Sequence, residues 1–149
     1  MTGPVTGPVT GPAAGAVTSQ PSDHEQIRQL LARFIQLRDD KRFEEWVRLF
    51  TEDGTFEYPG ARLTGRDAIR ESVATLLRDD RGKHLGFNAV IEVDGDTASV
   101  TSDVVKLRPA EPGGEAAFVV QTAGRYIDSL VRTNDGWQVA SRRTELLGF

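Results

Sequence analysis

The feature that most limits what this chain can fold into is the punctuation of its second half. His84 to Val93 and Thr97 to Leu107 each alternate apolar with polar residues, and Asp94-Gly95-Asp96 stands between them. A period of two marks a half-buried strand. An Asp-Gly step between two such runs favours the turn whose twist suits a hairpin. The arrangement recurs further on: a Pro- and Gly-rich loop from Pro109 to Glu115, a long strand-like run from Ala116 to Arg132, a second turn at Asn134-Asp135-Gly136, and a closing run from Trp137 to Glu145. Four strands joined in this way predict an antiparallel meander.

The first half carries a different period. Ile27, Leu30, Leu31, Phe34 and Leu37 or Arg38 recur at three and four, one face of a helix. Ser22 or Asp23 can cap it, with Glu25 or Gln26 close to capping-box spacing, and the pattern ends near Asp39-Asp40. Phe43, Trp46, Val47 and Phe50 predict a second, shorter helix, with Glu44 and Glu45 where a helix N-terminus favours negative charge. Thr51-Glu52-Asp53-Gly54 is expected to stop it, with Gly54 as a left-handed exit. Thr55 to Tyr58 then reads as a short strand turned by Pro59-Gly60, and Thr64 or Gly65 opens a third helix through Ala68, Ile69, Val73, Leu76 and Leu77. Helices followed by a meander predict an α+β fold, three N-terminal helices packed in a strongly curved, mainly antiparallel sheet around a central pocket.

At 149 residues the chain is long enough for one domain with a proper core, placed here at residues 23–149. Residues 1–22 hold TGPV, TGPV and TGPA in tandem, which cannot bury enough apolar surface to offset ordering entropy, and are expected to form a disordered tail. The net charge of -4, spread without a basic stripe, argues against nucleic acid and anionic membranes as partners. The absence of cysteine removes disulfides, thiolate metal sites and a cysteine nucleophile. No apolar run approaches the roughly 20 residues that cross a bilayer, and the start lacks a cationic and apolar leader. The expectation is a soluble, cytoplasmic protein.

Nucleotide-binding glycine motifs and a nucleophile elbow are absent. The two histidines, His24 and His84, are not spaced as metal ligands on one helix, so neither a metal nor another cofactor is expected. His24 falls in the first turn of the first helix, beside the tail. His84 opens a strand after a charged helix end, which puts an imidazole at the wall of the expected pocket. Asp39 ends the first helix, where it is either a carboxylate of the pocket or a plain helix terminator. Periodicity alone does not couple the two.

Several motifs taken together do. Arg38-Asp39-Asp40-Lys41-Arg42-Phe43, Leu49-Phe50-Thr51-Glu52-Asp53-Gly54, Gly65-Arg66-Asp67-Ala68-Ile69, His84-Leu85-Gly86-Phe87-Asn88, Val93-Asp94-Gly95-Asp96-Thr97-Ala98, Gly124-Arg125-Tyr126-Ile127-Asp128 and Gly136-Trp137 occur in this order. They resemble the SnoaL-like branch of the NTF2-like superfamily, from about Asp23 to Arg143. The resemblance implies the cone-shaped fold derived above. It also implies one of several activities, since members include polyketide cyclases, scytalone dehydratase, a bile-acid dehydratase, ketosteroid isomerase and limonene epoxide hydrolase, besides binding and assembly domains. Carried over by residue, the dehydratases' first-helix aspartate falls on Asp39, their pocket histidine on His84, and scytalone dehydratase's early-strand tyrosine on Tyr58. The bile-acid dehydratase's first-helix tyrosine is Phe34 here, and its further acidic residue is Leu107. Asp103, four residues earlier on that strand, is a candidate displaced carboxylate.

These residues imply cofactor-independent acid/base chemistry: Asp39 orients His84, His84 moves a proton, and Tyr58 donates to a developing enolate. The substrate class is a small, largely apolar metabolite, and the setting the resemblance suggests is natural-product biosynthesis. The expected lining is Phe34, Trp46, Phe87, Asp103, Val105, Leu107 and Tyr126, the apolar members of which can equally serve as core. Two other readings are a ligand-binding or assembly module of the same fold and an epoxide hydrolase using Asp39 with Asp103. A homodimer formed through the outer sheet face is expected by resemblance.

Overall fold

A computed structural model of the chain describes residues 20–115 and 117–148, together with Gly3, Gly7 and Gly11. The expected tail therefore lies, but for those glycines and Gln20 to Ser22, outside the described residues. Helix α1 is Asp23–Asp39; Ser22 caps it, its hydroxyl accepting from the Glu25 amide at 3.2 Å. Helix α2 is a single turn, Phe43–Trp46, continued by a 3-10 turn at Val47–Leu49. Strands β1 (Phe50–Tyr58) and β2 (Ala61–Thr64) precede helix α3 (Arg66–Leu76). Strands β3 (Lys83–Asp94), β4 (Thr97–Pro109), β5 (Phe118–Thr133) and β6 (Gly136–Leu146) complete the chain. No helix among the described residues is long and apolar enough to cross a membrane.

The strand order is β2-β1-β6-β5-β4-β3. The predicted meander occupies β3 to β6, antiparallel throughout, whereas β1 pairs in parallel with β6 and makes the sheet mixed. Two details depart from the sequence expectation. A separate strand, β2, follows the Pro59-Gly60 turn and pairs with β1. Gly54 is not a left-handed helix exit: β1 begins at Phe50, and Gly54 sits within it at the register shift between Phe50 and Thr55. There a Cβ would lie 3.0 Å from the Thr51 carbonyl oxygen and 3.2 Å from that of Val139, so the glycine serves close backbone approach.

Register shifts also interrupt β3 between Phe87 and Val90, the β4–β5 ladder after Lys106, and the β5–β6 ladder after Ser129. Such bulges bend a strand and raise its twist. They curl the sheet around the helices into a cone.

The helices fill one end of that cone. Phe34, Trp46 and Phe50 are wholly buried and meet edge to face, with ring centres 5.0 to 5.4 Å apart. Ile27, Ile69, Val73, Val100, Leu130 and Val139 close around them. Trimming one such aromatic ring to alanine costs about 3–5 kcal/mol. The other end of the cone stays open.

Candidate active site

Two short-range facts bring the site together. Ile35 and Asp39 lie four apart on α1 and so share a face, while His84 and Gly86 lie two apart on β3 and so share a face. A Cβ on Gly86 would collide with the Ile35 side chain, so α1 rests directly on the strand at that glycine. One helical turn further along, Asp39 then meets His84. Its Oδ1 is 2.5 Å from His84 Nδ1 and its Oδ2 accepts the His84 backbone N–H at 2.9 Å. Both carboxylate oxygens thus grip one residue, by ring and by main chain.

The electrostatics assign the proton. Burial pushes the Asp39 carboxyl up, but the ring and backbone hydrogen bonds of His84, with the charges of His84 and Arg38, hold it below the usual carboxylate range. Asp39 is therefore ionised and accepts, which places the hydrogen on Nδ1. Burial also lowers His84; Asp39 opposes this, and the cations of Arg38 and Lys106 add to it. His84 is consequently neutral near pH 7, and its Nε2, which makes no hydrogen bond among the described residues, keeps its lone pair.

His84 lines a cavity of about 600 Å³ at the open end of the cone. Phe56, Val73, Leu77 and Val104 supply apolar wall; Tyr58, Arg38, Lys106, Tyr126 and Thr144 supply polar wall. Tyr58 Oη lies 2.9 Å from Ser72 Oγ, which fixes its ring against α3. Lys106 Nζ is 2.6 Å from Asp80 Oδ2. Asp39 stands behind His84, out of the lining. Among the described residues no group of three or more histidine and acidic side chains is gathered to hold a metal ion.

The structure thus brings together Asp39, His84, Tyr58 and Tyr126, the last 4% exposed on the cavity wall. The other residues expected in the lining lie elsewhere. Phe34 and Trp46 belong to the sealed core. Phe87 falls at the β3 bulge and is 45% exposed, lining two smaller depressions instead. Val105 and Leu107 are not part of the cavity wall, and Asp103 faces outward to Asn88 and Arg125. This corrects the expected placement of β4 by one residue of parity: Ala98, Val100, Ser102, Val104 and Lys106 face in. A slip of one exchanges the two faces of a strand completely. With Asp103 outside, the pairing of Asp39 with Asp103 for epoxide opening has no geometric basis.

Sequence reasoning missed the basic residues of the interior. Arg142 and Asp128 face each other across β5–β6 and form a bidentate pair at 2.7 and 2.6 Å with side chains 1% and 0% exposed. The Arg142 guanidinium lies 3.7 Å from the Phe34 ring centre and 4.2 Å from that of Tyr126, buttressing the cavity wall from behind. Asp128 was detectable as an acid on the same strand face as Tyr126 and Leu130. Arg142 was not, because the bulge after Val139 shifts the inward parity of β6.

The SnoaL-like domain family matches residues 20–143. An uncharacterized protein of Mycobacterium tuberculosis, Rv2910c, is 33% identical over 126 residues, covering 81% of this chain and 83% of its own. Among solved structures, a variant of Mycobacterium tuberculosis Rv3472, described as of unknown function, superposes with a TM-score of 0.75 at 33% identity over 83% of this chain and 71% of that one. An NTF2-like protein with a cystatin-like fold from Novosphingobium aromaticivorans gives 0.76 at 30% identity over 85% and 82%. The family match spans the helices, the gripped histidine and nearly all of the curved sheet, and this chain belongs to the SnoaL-like domain family of the NTF2-like superfamily.

Proposed function

We propose that the protein is a cofactor-independent acid/base enzyme, a lyase or isomerase of the dehydratase or cyclase kind, acting on a small, largely apolar metabolite of natural-product type. The reading rests on one observation: a neutral imidazole, held by an ionised and buried aspartate, turns an unengaged Nε2 to a mostly apolar cavity at the open end of the cone. Nε2 removes a proton from carbon beside a carbonyl, giving an enolate and an imidazolium. Asp39 stabilises the imidazolium, and the Tyr58 hydroxyl donates to the enolate oxygen. In dehydration the imidazolium returns that proton to a departing β-hydroxyl, releasing water. In isomerisation the proton returns to another carbon; in ring closure the enolate carbon attacks a second carbonyl, whose oxygen takes the proton.

The experiment is deuterium uptake from heavy water into a panel of small ketones and hydroxyketones, with product analysis. Asp39→Asn and His84→Ala should each slow it about 10²- to 10⁴-fold. Ligand affinity should stay within about tenfold, a difference of ~1.4 kcal/mol. Turnover unchanged in both variants would refute catalysis and leave a ligand-binding module. The same proposal includes pairing of two copies through the outer sheet face, where Val90, Phe118 and Val120 are about three-fifths exposed. Sedimentation velocity tests it, and a persistent monomer would sink it.

A further inference from the structure

Arg38, in the last turn of α1, is 5% exposed and lines the cavity. Its Nη2 donates to Tyr126 Oη at 3.0 Å, its Nε is buried without a partner, and its Nη1 donates to no described residue. Among the described residues no carboxylate oxygen lies within 4.0 Å of its guanidinium, whereas the other buried cation, Arg142, is held by both oxygens of Asp128 and leaves only its Nη1 without a partner. Burying a cation without its counterion is among the costliest arrangements a fold can hold. The centre of its guanidinium lies 5.8 and 5.9 Å from the ring centres of Phe34 and Tyr126.

Two hydroxyls beside it share the imbalance. Tyr126 Oη accepts from Arg38, so its own hydrogen must go elsewhere, and no described residue accepts it. Thr144 stands opposite Tyr126 in the β5–β6 ladder and lines the same cavity; its Oγ1 is buried and has no partner. Donors therefore gather on one stretch of wall, and among the described residues no carboxylate is paired with them. The nearby acids do not bond to them: Asp39 acts on Arg38 through charge but gives both oxygens to His84, Asp80 is taken by Lys106 and the Gly82 amide, and Asp79 is exposed.

We propose that Arg38, Tyr126 and Thr144 form a carboxylate-binding subsite, so that the substrate is a small aromatic or alicyclic carboxylic acid whose ring lies against Phe56, Val73 and Val104. The inference rests on the cavity being the substrate site of the reading above and narrows its chemistry. A planar guanidinium edge flanked by hydroxyls matches a carboxylate in shape as well as charge. Anchoring that group by one end fixes which carbon is presented to His84.

The test uses the full chain and a matched pair of probes, 2-naphthoate and its neutral amide, titrated by calorimetry. The acid should bind at least about tenfold tighter than the amide. Arg38→Met should remove that preference while amide affinity stays within about threefold. Thr144→Val and Tyr126→Phe should each weaken the acid about three- to tenfold and spare the amide, and they carry the test should Arg38→Met not fold. Equal affinity for acid and amide, no binding of the acid, or a preference that survives all three variants would overturn the proposal. So would displacement of naphthoate by inorganic phosphate more strongly than by benzoate, which would assign the subsite to phosphate esters. His84→Ala should keep the preference, so that loss of the acid/base mechanism and loss of the subsite register as separate results.

Discussion

Replacing Asp39 by asparagine keeps shape and removes one acceptor, and the geometry says what must follow. Asp39 faces two donors of His84, the ring Nδ1 at 2.5 Å and the backbone N–H at 2.9 Å. Asparagine offers one carbonyl oxygen and one NH₂. If the oxygen stays on the backbone N–H, the NH₂ confronts Nδ1, which must then become an acceptor. The ring hydrogen moves to Nε2, and the lone pair facing the cavity is lost. An imidazole trapped in the wrong tautomer costs up to about 10⁴ in rate in the serine-protease triad, which sets the scale here. Two charge-assisted hydrogen bonds are also weakened at a side chain only 4% exposed, for about 2–3 kcal/mol of stability, or roughly 8 to 12 °C in melting temperature. Nitrogen-15 NMR of the imidazoles reads the tautomer without any substrate, and with two histidines in the chain the assignment is simple. Wild-type His84 should show protonated Nδ1 and bare Nε2, and the Asp39→Asn variant the reverse. A wild-type ring protonated on Nε2 near neutral pH, or a variant with an unchanged tautomer, would refute the reasoning.

Stability should fall on acidification in two stages. His84 is held below its usual 6.5 and Asp39 below 3.8, so each contributes stability that is complete above those values and lost as pH drops through the lower folded-state pKa; a melting temperature flat from pH 7.5 to 5, or as steep in His84→Gln as in wild type, would contradict this. Asp128→Asn strands the buried Arg142 cation and should cost about 3–5 kcal/mol, whereas Asp128→Leu with Arg142→Met should recover much of it; chemical denaturation measures both, and a single variant within about 0.5 kcal/mol of wild type would refute the assignment.

The fold was largely legible because its signals are local. The change of hydrophobic period near Asp79, the Asp-Gly turns and the Ser22 cap each state an element within a few residues. Site geometry was legible where a motif named it, as with Asp39, His84 and Tyr58. It failed where parity was needed: β4 carries apolar side chains on both faces at Val104 and Val105, so alternation does not say which faces in, and the apolar choice led to Val105 and Leu107 instead of Val104 and Lys106. The β6 bulge hid Arg142 for a related reason. Arg38 was read only as one of two possible members of a helix face, since nothing in a helical pattern announces that a cation will be buried without its anion.

The position of β6 between β1 and β5 has a kinetic consequence. Until this last strand is in place, the β1–β2 hairpin has no partner in the sheet, and the β3–β5 meander has an open edge. During synthesis the two halves must wait as separate, partly covered pieces, and their joining closes a loop of most of the chain. Such long-range pairing is slow and leaves strand edges exposed meanwhile. β6 also carries Arg142 and Thr144, so the cavity wall is completed in the same late step that joins the sheet, and a nascent chain stalled before residue 136 has Asp39 and His84 but an unfinished pocket.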